Sequence, residues 1–193
     1  KTEEQTPEDN EQQTEQQMQP KKAARAARIA TDCNGNHDSW TKLTTSNLTI
    51  TSSGNYYLDE LDKTLEISKM LLIEGESVDV TLCLNGNTLE YIGSDKTPVI
   101  QVGYGATLTL CDCEGNGVIT GGTDVGGIYV VSSKNGDTTG ASGTKSSTLI
   151  MNGGNIRDNI STIDAHGNGA GVYVSDSTFT MNGGTITNNE AGF

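Results

Sequence analysis

Cysteine is the residue type in this sequence best suited to covalent or metal chemistry. Cys83 and Cys111 occur in similar apolar-polar alternations, "VTLCL" and "LTLCD". Aligning these segments places the two thiols side by side on neighbouring strands. Parallel strands lie about 4.8 Å apart, and a disulfide tolerates that spacing. Cys83 and Cys111 are therefore predicted to lie within bridging distance, whether or not they are oxidised.

The other two cysteines allow more than one arrangement. Cys113 lies two residues beyond Cys111, and Cys33 lies at the start of the region predicted to be ordered. A second bridge would require the segment around Cys33 to fold back over about two repeat units. A thiolate metal site from Cys83, Cys111 and Cys113 is an alternative, but no pair has the C-x-x-C spacing typical of zinc. All four could also be free thiols, and the sequence predicts no metal and no cofactor.

Acidic residues and histidine could instead perform hydrolysis. Glycoside hydrolysis needs two carboxyl groups roughly 5 to 10 Å apart. Asp164 and His166 lie in the loop "STIDAHGNGAG", where solvated side chains are the ordinary expectation. Asp112 and Glu114 lie in another loop and could contact a cation, although a single D-x-E is weak support for calcium. We predict no catalytic residue.

Tyr129 and Tyr173 are the candidate ligand-binding residues. They occupy the same position in two related segments, "GIYV" and "GVYV". Aromatic side chains on a surface pack against sugar rings, so the pair predicts a glycan contact, with simple covering of the sheet as the alternative. Between them, the Gly-, Ser- and Thr-rich insertion at residues 133–147 is typical of a flexible recognition loop.

A repeat of three short strands positions these residues. Within each unit apolar residues alternate with polar ones, which predicts half-buried strands. In the last two units, the inward residues are Ile128, Val130, Leu149, Met151 and Ile156, followed by Val172, Val174, Phe179, Met181 and Ile186. This alignment predicts Leu149 over Phe179 and Met151 over Met181.

The corner between the second and third strands repeats as Asn-Gly-Gly. Asn152 and Asn182 begin the two copies, and stacked asparagines can pass side-chain hydrogen bonds from one unit to the next. The corner is therefore predicted to be structural.

Extending the alignment towards the N-terminus gives four units. The earliest begins with Leu65 and Ile67, which places Glu66 in one outward row with Gln101, Tyr129 and Tyr173. The second outward row contains Cys83, Cys111, Asn152 and Asn182. Neither row contains a pair of carboxylates, which argues against hydrolysis.

Three strands per stacked unit predict an all-β fold, a right-handed parallel β-helix, over residues 33–193. Residues 1–32 are predicted to be a disordered acidic, Gln-rich tail followed by a short basic, Ala-rich linker, because they carry too few apolar residues to form a core.

The segments "GNYYLDE", "VTLCLNGNTLEY", "ATLTLCDCEGNGVITGG" and the two "NGG" units resemble the pectin-lyase-like β-helix regions of adhesin-like surface proteins from Gram-positive, often gut-dwelling, bacteria. The resemblance implies a secreted or cell-surface location. It also implies a non-catalytic role as a stalk or recognition surface that contacts glycans or surface proteins. The alternative is a fragment of a polysaccharide lyase or glycoside hydrolase of the same fold.

Charge and hydropathy limit the partners. The formal net charge is −13, which disfavours attraction to nucleic acid or anionic lipid. The longest apolar patch, "MLLI", is far shorter than the roughly 20 residues of a membrane helix, so no membrane insertion is expected. The chain stops within a repeat unit, which predicts a truncated helix with an open last coil able to self-associate, and any export signal is expected to have been removed already.

Overall fold

The structure is a computed structural model that describes residues 33, 35–59, 61, 63–123, 125–134, 145–162 and 169–192. Within these ranges the chain forms 18 short strands and no helix, as the sequence predicts for an all-β protein. No helix in this part of the chain is therefore long and apolar enough to cross a membrane. The predicted tail, residues 1–32, and the loop residues Asp164 and His166 lie outside the described ranges.

The strands form three parallel sheets and one short ladder. Sheet A contains β2 (Thr49–Ile50), β5 (Leu71–Glu74), β8 (Ile100–Gly103), β11 (Ile128–Val131) and β15 (Val172–Ser175). Sheet B contains β1 (Thr41–Lys42), β3 (Gly54–Tyr57), β6 (Asp79–Cys83), β9 (Thr107–Cys111), β12 (Thr148–Met151) and β16 (Thr178–Met181). Sheet C contains β4 (Thr64–Ile67), β7 (Thr88–Tyr91), β10 (Val118–Thr120), β13 (Asn155–Arg157) and β17 (Thr185–Thr187). The ladder pairs β14 (Ile160–Ser161) with β18 (Glu190–Ala191).

Three consecutive strands, one from each sheet in the order A, B, C, make one coil. Each strand pairs in parallel with the equivalent strand of the next coil, and five coils follow one another from β2 to β17. This is the stacked parallel arrangement that the repeat pattern predicts.

The first predicted unit was assigned to the wrong strands of its coil. Leu65 lies in β4, the third strand of its coil, and pairs with Leu89 of β7. The second coil begins at β5, whose residues Leu71, Leu72 and Ile73 are all buried. Because such a run shows no alternation, the period-two pattern does not reveal it as a strand.

The core is a column of inward side chains that the last units predict correctly. Leu149 pairs with Phe179 and Met151 with Met181, as expected. Leu149 and Met151 are fully buried, whereas Met181 is 45% exposed, because the last described coil has a neighbouring coil on one side only.

The Asn-Gly-Gly corner also forms as predicted. Asn182 donates a side-chain hydrogen bond of 2.9 Å to the amide oxygen of Asn152. Gly154 and Gly184 have positive φ angles of 87° and 85°. A Cβ at Gly184 would collide with the carbonyl oxygen of Gly154, so the close stacking of these corners requires glycine.

A second asparagine pair, which was not predicted, follows sheet C and joins the buried Asn159 to the half-buried Asn189. The side chain of Asn159 donates to the Asn189 amide oxygen at 2.9 Å, and its own oxygen accepts from the backbone N–H of Gly122 at 2.9 Å. Asn189 in turn donates to the carbonyl oxygen of Ile156. Asn159 is fully buried, so this pair satisfies backbone groups that water cannot reach.

The two asparagine pairs predict different costs of substitution. Asn159→Ala leaves the buried N–H of Gly122 without its acceptor and should lower the free energy of unfolding by about 1–3 kcal/mol. Asn182→Ala, at an exposed corner, should cost less than about 0.5 kcal/mol. Urea denaturation of both variants measures the difference, and equal losses would show that burial does not decide the strength of these pairs.

Candidate functional site

The four cysteines form one buried cluster on the side of sheet B that faces away from the apolar column. The sulfur of Cys83 lies 2.8 Å from that of Cys33 and 3.4 Å from that of Cys113. Trp40 and Tyr57 pack against the cluster. The segment before β1 therefore folds back onto β6, and the two cysteines of the predicted outward row, Cys83 and Cys111, are buried.

The predicted relation between Cys83 and Cys111 is present in the backbone. The two residues face each other across β6 and β9. All four cysteines carry free thiols in the structure, so a bridge between these two stays a prediction. The closest sulfur contact of Cys83 is instead with Cys33, a residue 50 positions earlier.

The environment of the cluster favours the protonated thiols of Cys33 and Cys113. Hydrogen bonding with Cys111 and Cys113, helped by burial, raises the pKa of Cys33 above its ordinary value. Hydrogen bonding with Cys33 lowers the pKa of Cys113, but contact with Cys83 and burial outweigh it and raise that pKa to about 12. Because the thiolate is the nucleophilic form, these residues are poor candidates for cysteine-based catalysis.

His37 joins the cluster, and the sequence analysis missed it. Its ring stacks on Tyr57 with centroids 4.9 Å apart and meets the edge of Trp40 at 5.0 Å. One ligand atom of His37 and the sulfurs of Cys33, Cys83 and Cys113 all lie within 4.8 Å of one another. The signal available in the sequence was the spacing Cys-x-x-x-His in "CNGNH".

Tyr129 and Tyr173 lie together on sheet A, as the repeat predicts. They are register partners on β11 and β15, and their rings stack with centroids 5.0 Å apart and an interplanar angle of 26°. Both side chains are half-buried. Each ring covers one face of the other, so those two faces are closed to a ligand, whereas ring edges and phenol oxygens can be offered to it.

The outward row that contains these tyrosines differs from the predicted one. Leu72 and Gln101 precede Tyr129 in register, and both are buried. Glu66 was wrongly placed in this row because the first unit was misaligned.

Glu66 lies instead on sheet C, where it pairs with Glu90 of the next coil. Glu66 is exposed and Glu90 half-buried. The two predicted outward rows did not cover sheet C, and the misplacement of Glu66 hid this aligned pair of carboxylates. Two carboxylates at the same register position of adjacent strands are an arrangement that a glycosidase could use.

Asp112 has a structural role at a corner. Its carboxylate accepts hydrogen bonds from the backbone N–H of Gly86 at 2.7 Å and of Gly117 at 2.6 Å. The carboxylate that a D-x-E cation site would use is thus engaged with backbone donors of two coils.

Comparison of the chain with protein-family models, with curated proteins and with solved structures found no match. A function must therefore be argued from the geometry of the described residues.

The tyrosine pair predicts an unusual titration. Burial, together with the nearby Tyr173, raises the pKa of Tyr129. Tyr129 should therefore ionise later than an exposed tyrosine when phenolate absorbance is followed with pH. The stability that its neutral form contributes is complete below the ordinary tyrosine pKa and is lost as the pH rises through the raised one.

Tyr129→Phe should remove this late phase, and Tyr104→Phe provides a matched control on a turn. If the late rise in phenolate absorbance is unchanged in Tyr129→Phe, that rise belongs to another tyrosine.

Proposed function

We propose that the chain is a right-handed parallel β-helix that serves as a non-catalytic secreted or cell-surface module and binds a carbohydrate chain along the outer face of sheet A. The observation that carries this proposal is the stacked Tyr129–Tyr173 pair, aligned across two adjacent coils. The parallel pairing through five coils supports the β-helix, and the repeat pattern supports the surface location.

The chemistry of the pair suits a sugar chain better than an apolar ligand. Ring edges provide apolar contact for sugar C–H groups, and phenol oxygens can exchange hydrogen bonds with hydroxyls. At the carboxyl end of the same sheet, Lys134 lies over the ring of Tyr104 at 4.3 Å. Lys134 belongs to the insertion predicted to take part in recognition, so this pair adds an amphipathic contact at that end of the sheet.

Charge selects among carbohydrates. A net charge of −13 repels polyanions over the distance at which a partner approaches. Neutral glycans are therefore favoured over uronate polymers, and the same repulsion disfavours nucleic acid.

Binding of the full chain to immobilised mannan, xylan, β-glucan and polygalacturonate tests the proposal. We expect binding to at least one neutral polymer and weaker binding to polygalacturonate. Tyr129→Ala and Tyr173→Ala should each weaken binding about 2- to 10-fold, the amount that one aromatic contact is worth.

Glu66→Gln, on a different sheet, is the matched control and should bind like the unchanged chain. Absence of binding to every neutral polymer would contradict the proposed site. So would binding by both tyrosine variants that is as strong as binding by the unchanged chain.

A second candidate function rests on Glu66 and Glu90. Neighbouring parallel strands lie about 4.8 Å apart. Carboxylates carried on such strands approach the separation that retaining glycosidases use. A hydrolase would need one of them protonated as the acid and the other ionised as the nucleophile. The exposure of Glu66 to water works against that division of roles, so we favour the non-catalytic function.

Incubation with pectin, polygalacturonate and the neutral polymers, with and without calcium, separates the two candidates. We expect no new reducing ends and no unsaturated products. Cleavage that disappears in Glu66→Gln or Glu90→Gln would establish the hydrolase instead. Cleavage that disappears in Asp164→Ala or His166→Ala would place a catalytic site in the loop that contains them.

A further inference from the structure

We propose that Cys33, His37, Cys83 and Cys113 bind a zinc ion, or another divalent transition metal of similar preference, in a Cys₃His site that fastens the N-terminal segment to sheet B. Their four ligand atoms already converge, since all lie within 4.8 Å of one another. The proposal is independent of the carbohydrate-binding function.

The donor set has the chemistry of structural zinc. Three sulfurs and one imidazole nitrogen form one of the common four-coordinate zinc sets. With Zn–S near 2.3 Å and Zn–N near 2.0 Å, tetrahedral ligands lie about 3.5–3.8 Å apart. The sulfur of Cys83 lies 2.8 Å from the sulfur of Cys33 and 3.4 Å from that of Cys113. Shifts of these ligand atoms by up to about 1 Å would therefore give the separations that a zinc ion needs.

The spacing of the donors also fits. Cys33 and His37 come from one short segment with three residues between them, within the range seen for ligand pairs on a zinc loop. Cys83 ends β6 and Cys113 follows β9, so two adjacent coils supply the other two ligands on a rigid scaffold. The N-terminal segment thus supplies two of the four ligands and the coils supply the other two.

The surroundings of the four donors suit a buried structural metal. Cys33, Cys83 and Cys113 are each less than 10% exposed, and the Nε2 atom of His37 is buried. Tyr57 and Trp40 hold the imidazole from two sides. The thiol of Cys113 donates a hydrogen bond of 3.2 Å to the amide oxygen of Asn85, a contact that loss of the thiol proton on metal binding would break.

Binding must also balance charge. The three thiols give up their protons to solvent, so three thiolates and Zn²⁺ carry a net charge of −1.

Disulfide formation is the competing outcome for the same sulfurs. A bond between Cys33 and Cys83 would also fasten the N-terminal segment. It would give His37 no part in the cluster, however, although the imidazole lies beside the sulfurs and is held there by two aromatic rings. The position of His37 is the reason that we favour the metal.

Cobalt titration of the reduced full chain tests the site directly. We expect intense visible absorption of tetrahedral Co²⁺ with thiolate charge-transfer bands, displacement of cobalt by Zn²⁺, and one zinc per chain by elemental analysis. Zinc should also raise the unfolding temperature. Absence of cobalt absorption and of zinc uptake would overturn the proposal.

Variants identify the donors. His37→Gln preserves polarity and should lower zinc affinity by more than the roughly 10- to 100-fold that losing an outer-shell partner costs. Cys113→Ser should do the same. His166→Gln and Cys111→Ser are the matched controls, the other histidine of the sequence and a cysteine in the cluster but outside the donor set.

Two results would reject this donor set. Unchanged affinity in His37→Gln with loss in Cys111→Ser would indicate a four-thiolate site instead. Digestion of the unreduced chain could instead release the Cys33 and Cys83 peptides as a disulfide-linked pair. That result, with no metal taken up after reduction, would assign the cluster to a disulfide.

Discussion

The parallel pairing of each strand with its equivalent in the next coil is the constraint on which the rest of the structure depends. It extends beyond the strands into the corners, where Leu58 donates to the carbonyl of Cys83, and Leu84 to that of Cys111. Because the side chains alternate with period two, this register puts like positions in line on both faces. A core column, asparagine ladders and a tyrosine stack are therefore consequences of one hydrogen-bonding pattern.

This constraint explains which features the sequence could predict. Leu149 over Phe179, Asn152 beside Asn182 and Tyr129 beside Tyr173 were all predicted correctly, since each pair recurs at the same place in two similar units. Repetition does for these residues what an alignment of relatives would do elsewhere: it identifies the positions that the fold makes equivalent.

The failures occurred where repetition was weak or absent. In β5 the residues Leu71–Ile73 are buried on both sides, so the alternation vanished and the first unit was misaligned, which moved Glu66 to the wrong sheet. Cys33 and His37 belong to no repeat at all. Their approach to Cys83 depends on how a segment outside the coils folds back, and no periodic pattern encodes that path.

Polar residues at the corners are largely used by the backbone. The carboxylate of Asp112 and the amide of Asn159 each bind N–H groups that stacking would otherwise bury without acceptors. Residue types that suggest catalysis or cation binding in a linear sequence therefore have structural roles in such a fold. The proposed recognition function would therefore use the outer faces of the strands and the insertions between them.

The cysteine cluster and the tyrosine pair are separated by the same architecture. The cluster joins the N-terminal segment to the second and third coils on sheet B, whereas the tyrosines lie on sheet A in the fourth and fifth coils. Contacts run mainly between adjacent coils, so stability in such an array is close to a sum of local terms. A metal at the cluster would hold the N-terminal side of the column in place, and the tyrosine face would keep its geometry through the coils between them. Loss of the metal should therefore loosen the early coils first, before the face that carries Tyr129 and Tyr173 changes.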